Sequence, residues 1–250
     1  MWLRRDTQDG ITRLTLDRGR THSLDPELVG ELRTAFDELA QDEAVRAVIL
    51  TGAGDRFFCN GLDVAALLPL TRDEMCRFYD SFIGLVMEMY LFPRPLVAAI
   101  NGHAIAGGLI LALTADYQLI GAENRYVGLS EVRLGVPVPE AAILMLTTLV
   151  GSRMAHRIAL RAETVLPETA YRTGLVHEVT SFKHLITVAE TVAGDLASTP
   201  SAAFGITKRY LRSPTAGAMY ASAVESREEF VECWFLPATR KSLEKLAAKK

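Results

Sequence analysis

Leu96-Val97-Ala98-Ala99-Ile100 is apolar at every position, lies just after Pro93 and Pro95, and is too short for a helix. A strand with no polar face is buried on both sides, the usual state of a parallel sheet covered by helices. Val45 to Leu50 is a second short β-branched run, ending at Thr51-Gly52-Ala53-Gly54, and Tyr117 to Ile120 reads as a third. Upstream, Ile11-Thr12-Arg13-Leu14-Thr15-Leu16 alternates with period two, which predicts a half-buried strand.

Helical patterns separate these runs. Asp25-Pro26-Glu27 supplies an N-cap, a proline at the first helical position and an acid in the first turn. Leu28, Leu32, Ala35, Phe36 and Leu39 then carry an apolar stripe. A second long helix is expected from Glu74 to Leu91, closed by the two prolines, and Leu109 to Thr114 has helix-forming residues. Strands alternating with helices predict an α/β core with right-handed crossovers. From about Pro139 the chain turns helix-rich, with helices expected over Ala141–Val150, Arg153–Leu160, Pro167–Thr173, Leu185–Ser198, Ala202–Leu211 and Met219–Phe235.

Composition bounds the function. With 250 residues, 49% of them hydrophobic, the chain can bury a large core. A net charge of −3 and the lack of an interior basic block give no electrostatic footprint for nucleic acid. No interior apolar run reaches about 18 residues without a charge, so no membrane partner is expected. Cys59, Cys76 and Cys233 are widely spaced, without a C-x-x-C pair, which argues against a disulfide framework and for a reducing compartment. The start, Met1-Trp2-Leu3-Arg4-Arg5-Asp6, has no secretory h-region, and the end, Ala248-Lys249-Lys250, no peroxisomal address. A cytoplasmic location is the expectation.

Three segments have the makings of chemistry. Phe57-Phe58-Cys59-Asn60-Gly61-Leu62-Asp63 and Asn101-Gly102-His103-Ala104-Ile105-Ala106-Gly107-Gly108 each follow a predicted buried strand. Glycine lets backbone approach a ligand, and Gly107-Gly108 stands where a helix begins, so its amides lack carbonyl partners. Two such amides converging on one oxygen make an oxyanion hole; taken singly, either loop also reads as an ordinary tight turn. The spacing Gly102 to Gly107 fails as a phosphate-binding loop, because Gly108 stands where lysine is required. His22, His103, His156, His177 and His184 show no ligand spacing, so no metal is expected. The third segment, Tyr126-Val127-Gly128-Leu129-Ser130-Glu131-Val132-Arg133-Leu134-Gly135, offers one carboxylate, Glu131; taken alone, a Glu beside Arg133 is more often a solvated ion pair.

In this order and spacing the three segments resemble the crotonase superfamily of enoyl-CoA hydratases and isomerases, over nearly the whole chain. The Leu96–Ile100 strand and a later segment, Gly174–Val179, read here as helical, fit as well. The resemblance implies an α/β crotonase-like spiral of ββα units with a helical C-terminal part: a core over 1–195 and a C-terminal trimerisation region over 196–250, packing across subunits of a homotrimer or homohexamer. It further implies an acyl-CoA thioester substrate, no separate cofactor (coenzyme A arrives as part of the substrate), and a carbonyl oxygen held by the amides of Leu62 and Gly107. Glu131 matches the family's second catalytic glutamate. The first belongs three residues after Gly107, where this chain has Ile110. One carboxylate with an apolar partner resembles the monofunctional Δ3,Δ2-enoyl-CoA isomerases, as does Val136-Pro137-Val138-Pro139 after Leu134-Gly135. Hydratase or carboxymethylproline synthase-like chemistry and a non-catalytic acyl-CoA-binding protein stay open as alternatives. Substrate contacts implied by the resemblance are Arg20, His22, Leu24, Asn60, Gly61, Asp63, Val64, Gly108, Ile110, Leu129 and Leu134, with Lys208 or Arg209 meeting phosphate. Shielding by Ile110, Leu129 and Leu134 would raise the pKa of Glu131 towards neutrality.

Overall fold

A computed structural model describes residues 1–123 and 125–248; Lys249 and Lys250, the tip of the expected C-terminal region, lie outside the described residues. The chain begins with a hairpin, β1 (Leu3–Gln8) and β2 (Ile11–Leu16), turned at Asp9 and Gly10, both at positive φ. Asp-Gly between two strands is the signature of such a turn. β2 has the expected bounds, whereas β1, mostly exposed and lacking an apolar pattern, was not anticipated.

Helix α1 (Pro26–Gln41) follows, its Asp25 side chain accepting the Leu28 amide at 2.9 Å. Then the chain runs three times through one plan. β3 (Ala47–Gly52) leads to a short β4 (Phe57–Cys59), then α2 (Val64–Leu67) and α3 (Arg72–Tyr90). β5 (Leu96–Ile100) leads to β6 (His103–Ile105) and α4 (Gly107–Leu113). β7 (Tyr117–Gly121) leads to β8 (Val127–Gly128), α5 (Glu131–Leu134) and α6 (Glu140–Leu160). One sheet is ordered β1-β2-β3-β5-β7-β9, antiparallel between β1 and β2 and parallel from β2 onward, and a second, of short parallel strands, is ordered β4-β6-β8. This is the spiral of ββα units. The second sheet had no signal of its own, because strands of two or three residues fall below any periodicity window; the predicted Gly-rich turn thus contains β6.

The remainder is α7 (Pro167–Arg172), β9 (Glu178–Thr180), α8 (Leu185–Ala197), α9 (Ser201–Phe235) and α10 (Pro237–Ala247). Two expectations are corrected. The segment 174–179 is not helical: Gly174 turns at φ +76 and the chain extends into β9, which closes the large sheet against β7. The two helices expected over Ala202–Leu211 and Met219–Phe235 are one, running through Pro214. Pro214 and Tyr210 are both exposed, so the carbonyl that loses its partner can bond water. Conversely, α6 is broken at Gly151 (φ +72), which matches the two helices expected there.

Both faces of the large sheet are covered. Ala47, Ile49, Val97, Ala99 and Leu119 pack under Leu185, Ala189 and Ala193 of α8, while Val48, Leu50, Ala98 and Ile100 face the main core with α1 and α3. α9 is fastened at its N-terminal half by buried charge: Asp116 accepts from Lys208 at 2.6 Å, Arg212 at 2.8 Å and the Leu96 amide at 2.8 Å. Burial still pulls Lys208 down to about 8. Lys208 is therefore committed inward and not offered to a phosphate. Further along, Ser226 bonds Tyr79 at 2.6 Å, and α10 docks through Thr239 to the Gly135 carbonyl at 3.2 Å and Arg240 to that of Leu68 at 2.9 Å. The C-terminal helices thus fold onto their own core. Among the described residues no helix is long and apolar enough to cross a membrane.

Candidate active site

The two sheets place β4, β6 and β8 side by side, so the loops leaving them emerge together. The first loop is pinned by Leu24, which donates to the Gly61 carbonyl at 2.8 Å and accepts from the Asp63 amide at 2.7 Å. That bridge engages the residues on either side of Leu62, so the N–H of Leu62 faces away from Leu24. The second loop bends through Ala106 (φ +52) into α4, and Gly107 occupies its first position, where helix geometry provides no carbonyl for the amide.

The loops touch. A side chain on Gly61, which sits at φ +81, would come within 3.1 Å of the Gly107 nitrogen, and one on Gly108 within 2.0 Å of the Cys59 carbonyl. Glycine at these two places is what lets the two loops approach so closely. Behind them Asn101 ties three chain segments together: its carbonyl oxygen accepts the Gly52 amide at 2.9 Å, and its amide donates to the carbonyls of Gly54 at 2.8 Å and Phe57 at 3.3 Å.

A cavity of about 260 Å³ lies in front of these loops. Its inner end is formed by Asn60, Leu62, Gly107, Ile110, Ser130 and Glu131, and Val64 and Leu134 line it further along. Glu131 opens α5 directly after β8, with its residue only 8% exposed and Oε2 without a hydrogen-bond partner. Burial raises its carboxyl from the ordinary 4.5 to about 7, against a smaller downward pull from the Glu131 and Ser130 amides. Among the described residues it is the only ionisable side chain on the cavity wall, and Ile110, 1% exposed, shares that wall. The ion pair with Arg133 does not form; that guanidinium donates to the Arg161 carbonyl at 3.4 Å.

The other expected contacts divide into two groups. Leu24, Leu129 and Gly108 are buried behind the cavity wall as support. His22 is also buried: Nδ1 accepts the Arg18 amide at 3.2 Å, which leaves Nε2–H to donate to the Ala53 carbonyl at 2.9 Å. Arg20 and Asp63 line a separate surface groove of about 610 Å³ with Trp2, Arg18, Arg56 and Phe57. The 60–64 loop divides the two spaces, with Asn60, Leu62 and Val64 facing the cavity and Asp63 the groove. Sequence reasoning passed over the far end of the cavity, which consists of Phe82, Phe230, Trp234, Leu243 and Leu246. On paper these are apolar stripe residues of helices, indistinguishable from core.

The family model described as enoyl-CoA hydratase/isomerase matches residues 6–244. A curated relative, the carnitinyl-CoA dehydratase of Salmonella paratyphi A, is 30% identical over 208 residues, 83% of this chain and 79% of its own length. Human mitochondrial Δ3-Δ2-enoyl-CoA isomerase superposes with a TM-score of 0.96 at 25% identity, covering 100% of this chain and 98% of that one. An enoyl-CoA hydratase/isomerase from Xanthobacter autotrophicus Py2 follows at 0.89 and 27%, covering 100% and 94%.

Proposed function

The chain belongs to the enoyl-CoA hydratase/isomerase family, and from that premise we propose that it moves the double bond of a 3-enoyl-CoA to the 2-position, with Glu131 as its one proton carrier. The observation that carries this reading is the cavity wall itself, on which Glu131 is ionisable and Ile110 is not. The thioester oxygen sits between the N–H groups of Leu62 and Gly107. The Glu131 carboxylate removes a proton from C2, and the electron pair spreads through the adjacent double bond as a dienolate whose negative oxygen those amides stabilise. Each such donor is typically worth about 3 kcal/mol. The same carboxyl then returns the proton to C4, leaving the double bond between C2 and C3 and the enzyme unchanged. A pKa of about 7 suits both halves, since one group must accept and then release a proton near neutral pH.

The thioester's nucleotide portion is assigned to the outer groove. Arg20 and Arg56 offer charge to phosphates there, and Trp2 and Phe57 offer aromatic faces. No cofactor beyond the substrate's own coenzyme A is required by this chemistry, and a homotrimer or homohexamer in the cytoplasm is the accompanying expectation.

The dehydratase name of the Salmonella relative favours a second reading, addition or loss of water at C3. That reaction asks for a further group to handle the oxygen's proton, and Ile110 cannot supply it. Assaying the purified protein for isomerisation of 3-enoyl-CoA and hydration of 2-enoyl-CoA separates the two. Isomerisation should dominate; a faster hydration would transfer the assignment to the second reading.

A further inference from the structure

We infer that the cavity is a closed-ended acyl pocket, floored by Phe82, Phe230, Trp234 and Leu243 of the chain's own helices, which limits the protein to acyl groups of short to medium length. The inference rests on the acyl-thioester reading of the inner end and adds the substrate class.

Ligand cavities commonly measure about 300 to 1,000 Å³, and this one, at about 260 Å³, falls just below that range. It has room for an acyl group next to Glu131 but not for a long extended chain. Phe82, Phe230, Trp234 and Leu243 are at most 2% exposed, so the wall opposite the loops is backed by protein. That wall is held in place from several sides. Phe230 packs on Tyr79 with centroids 4.9 Å apart and on Trp234 at 6.0 Å, and the Tyr79 hydroxyl is bonded to Ser226. Where α9 passes into α10, Phe235 lies between the guanidinium groups of Arg72 and Arg240, at 5.2 and 5.6 Å. Two hydrogen bonds, from Thr239 and Arg240, fix α10 to the carbonyls of Gly135 and Leu68. Buried aromatic rings in a close-packed wall do not yield to an extra methylene without displacing their neighbours. Leu246 is the exception, at 38% exposed, and marks the rim.

The test is binding of saturated acyl-CoAs, from four to sixteen carbons, by calorimetry, alongside turnover of the matching 3-enoyl-CoAs. The full-length protein should show a length beyond which affinity and kcat/KM fall at least about tenfold, the usual scale of rejecting a methylene. Trp234→Ala should raise the long-to-short ratio by a similar factor. Leu246→Trp, at a rim position where folding tolerates bulk, should move the cut-off towards shorter chains. Equal affinity across all lengths overturns the inference, as does a Leu246→Trp profile that superposes on the parent's. Because the saturated ligands cannot react, a length cut-off in binding without any isomerisation would sink the isomerase reading and leave this one standing.

Discussion

Glu131 is 8% exposed and raised to about 7, and both facts bear on what its removal does. Glu131→Gln should lower kcat at least about a hundredfold if this carboxylate moves the proton. In the parent protein, kcat/KM for isomerisation should fall away below about pH 7, because the base must be ionised in the free enzyme. Stability should move the other way. A carboxyl raised from 4.5 to about 7 binds a proton more tightly folded than unfolded, so its contribution is fully present below 4.5 and lost as pH rises through 7. Above neutral pH the buried charge then costs up to about 3 kcal/mol. Glu131→Gln removes that charge, so its melting temperature should exceed the parent's at pH 8 and approach it at pH 5; equal melting curves at both pH values would count against the burial argument.

The elements that aim the two amides have their own signature. Gly108→Ala puts a methyl 2.0 Å from the Cys59 carbonyl and must part the loops. Displacing reacting groups by an ångström can cost about a hundredfold in rate, so kcat should drop on that scale while far-ultraviolet circular dichroism stays native. Just beyond the C-terminal end of α4, Asp116→Asn leaves Lys208 and Arg212 with no carboxylate between them, 5% and 12% exposed. Stripping a buried pair of its partner typically costs about 3 to 5 kcal/mol, readable by urea denaturation. The sequence marked the first of these elements and not the second. A glycine pair at a predicted helix start stands out by residue type, whereas Lys208 on paper is a base for phosphate, and nothing local to it points to Asp116, 92 residues away.

At the scale of the molecule, Phe230 and Trp234 of α9 and Leu243 and Leu246 of α10 complete the wall of the cavity. The sequence by itself determined the parallel sheet and its covering helices, because runs such as Leu96–Ile100 are stable only when buried on both faces. It also determined the two glycine loops, Glu131 and the absence of a carboxylate at position 110, because each is a property of residue type at a fixed spacing. Only the tertiary structure decided the second sheet, whose two- and three-residue strands carry no period, and the turn of 174–179 into a strand that completes the first. It alone brought Phe82 and Trp234, more than 150 residues apart, onto one wall of one cavity. Local pattern records which face of a helix is apolar; what that face meets depends on contacts distant in sequence, and those exist only after the chain has closed on itself.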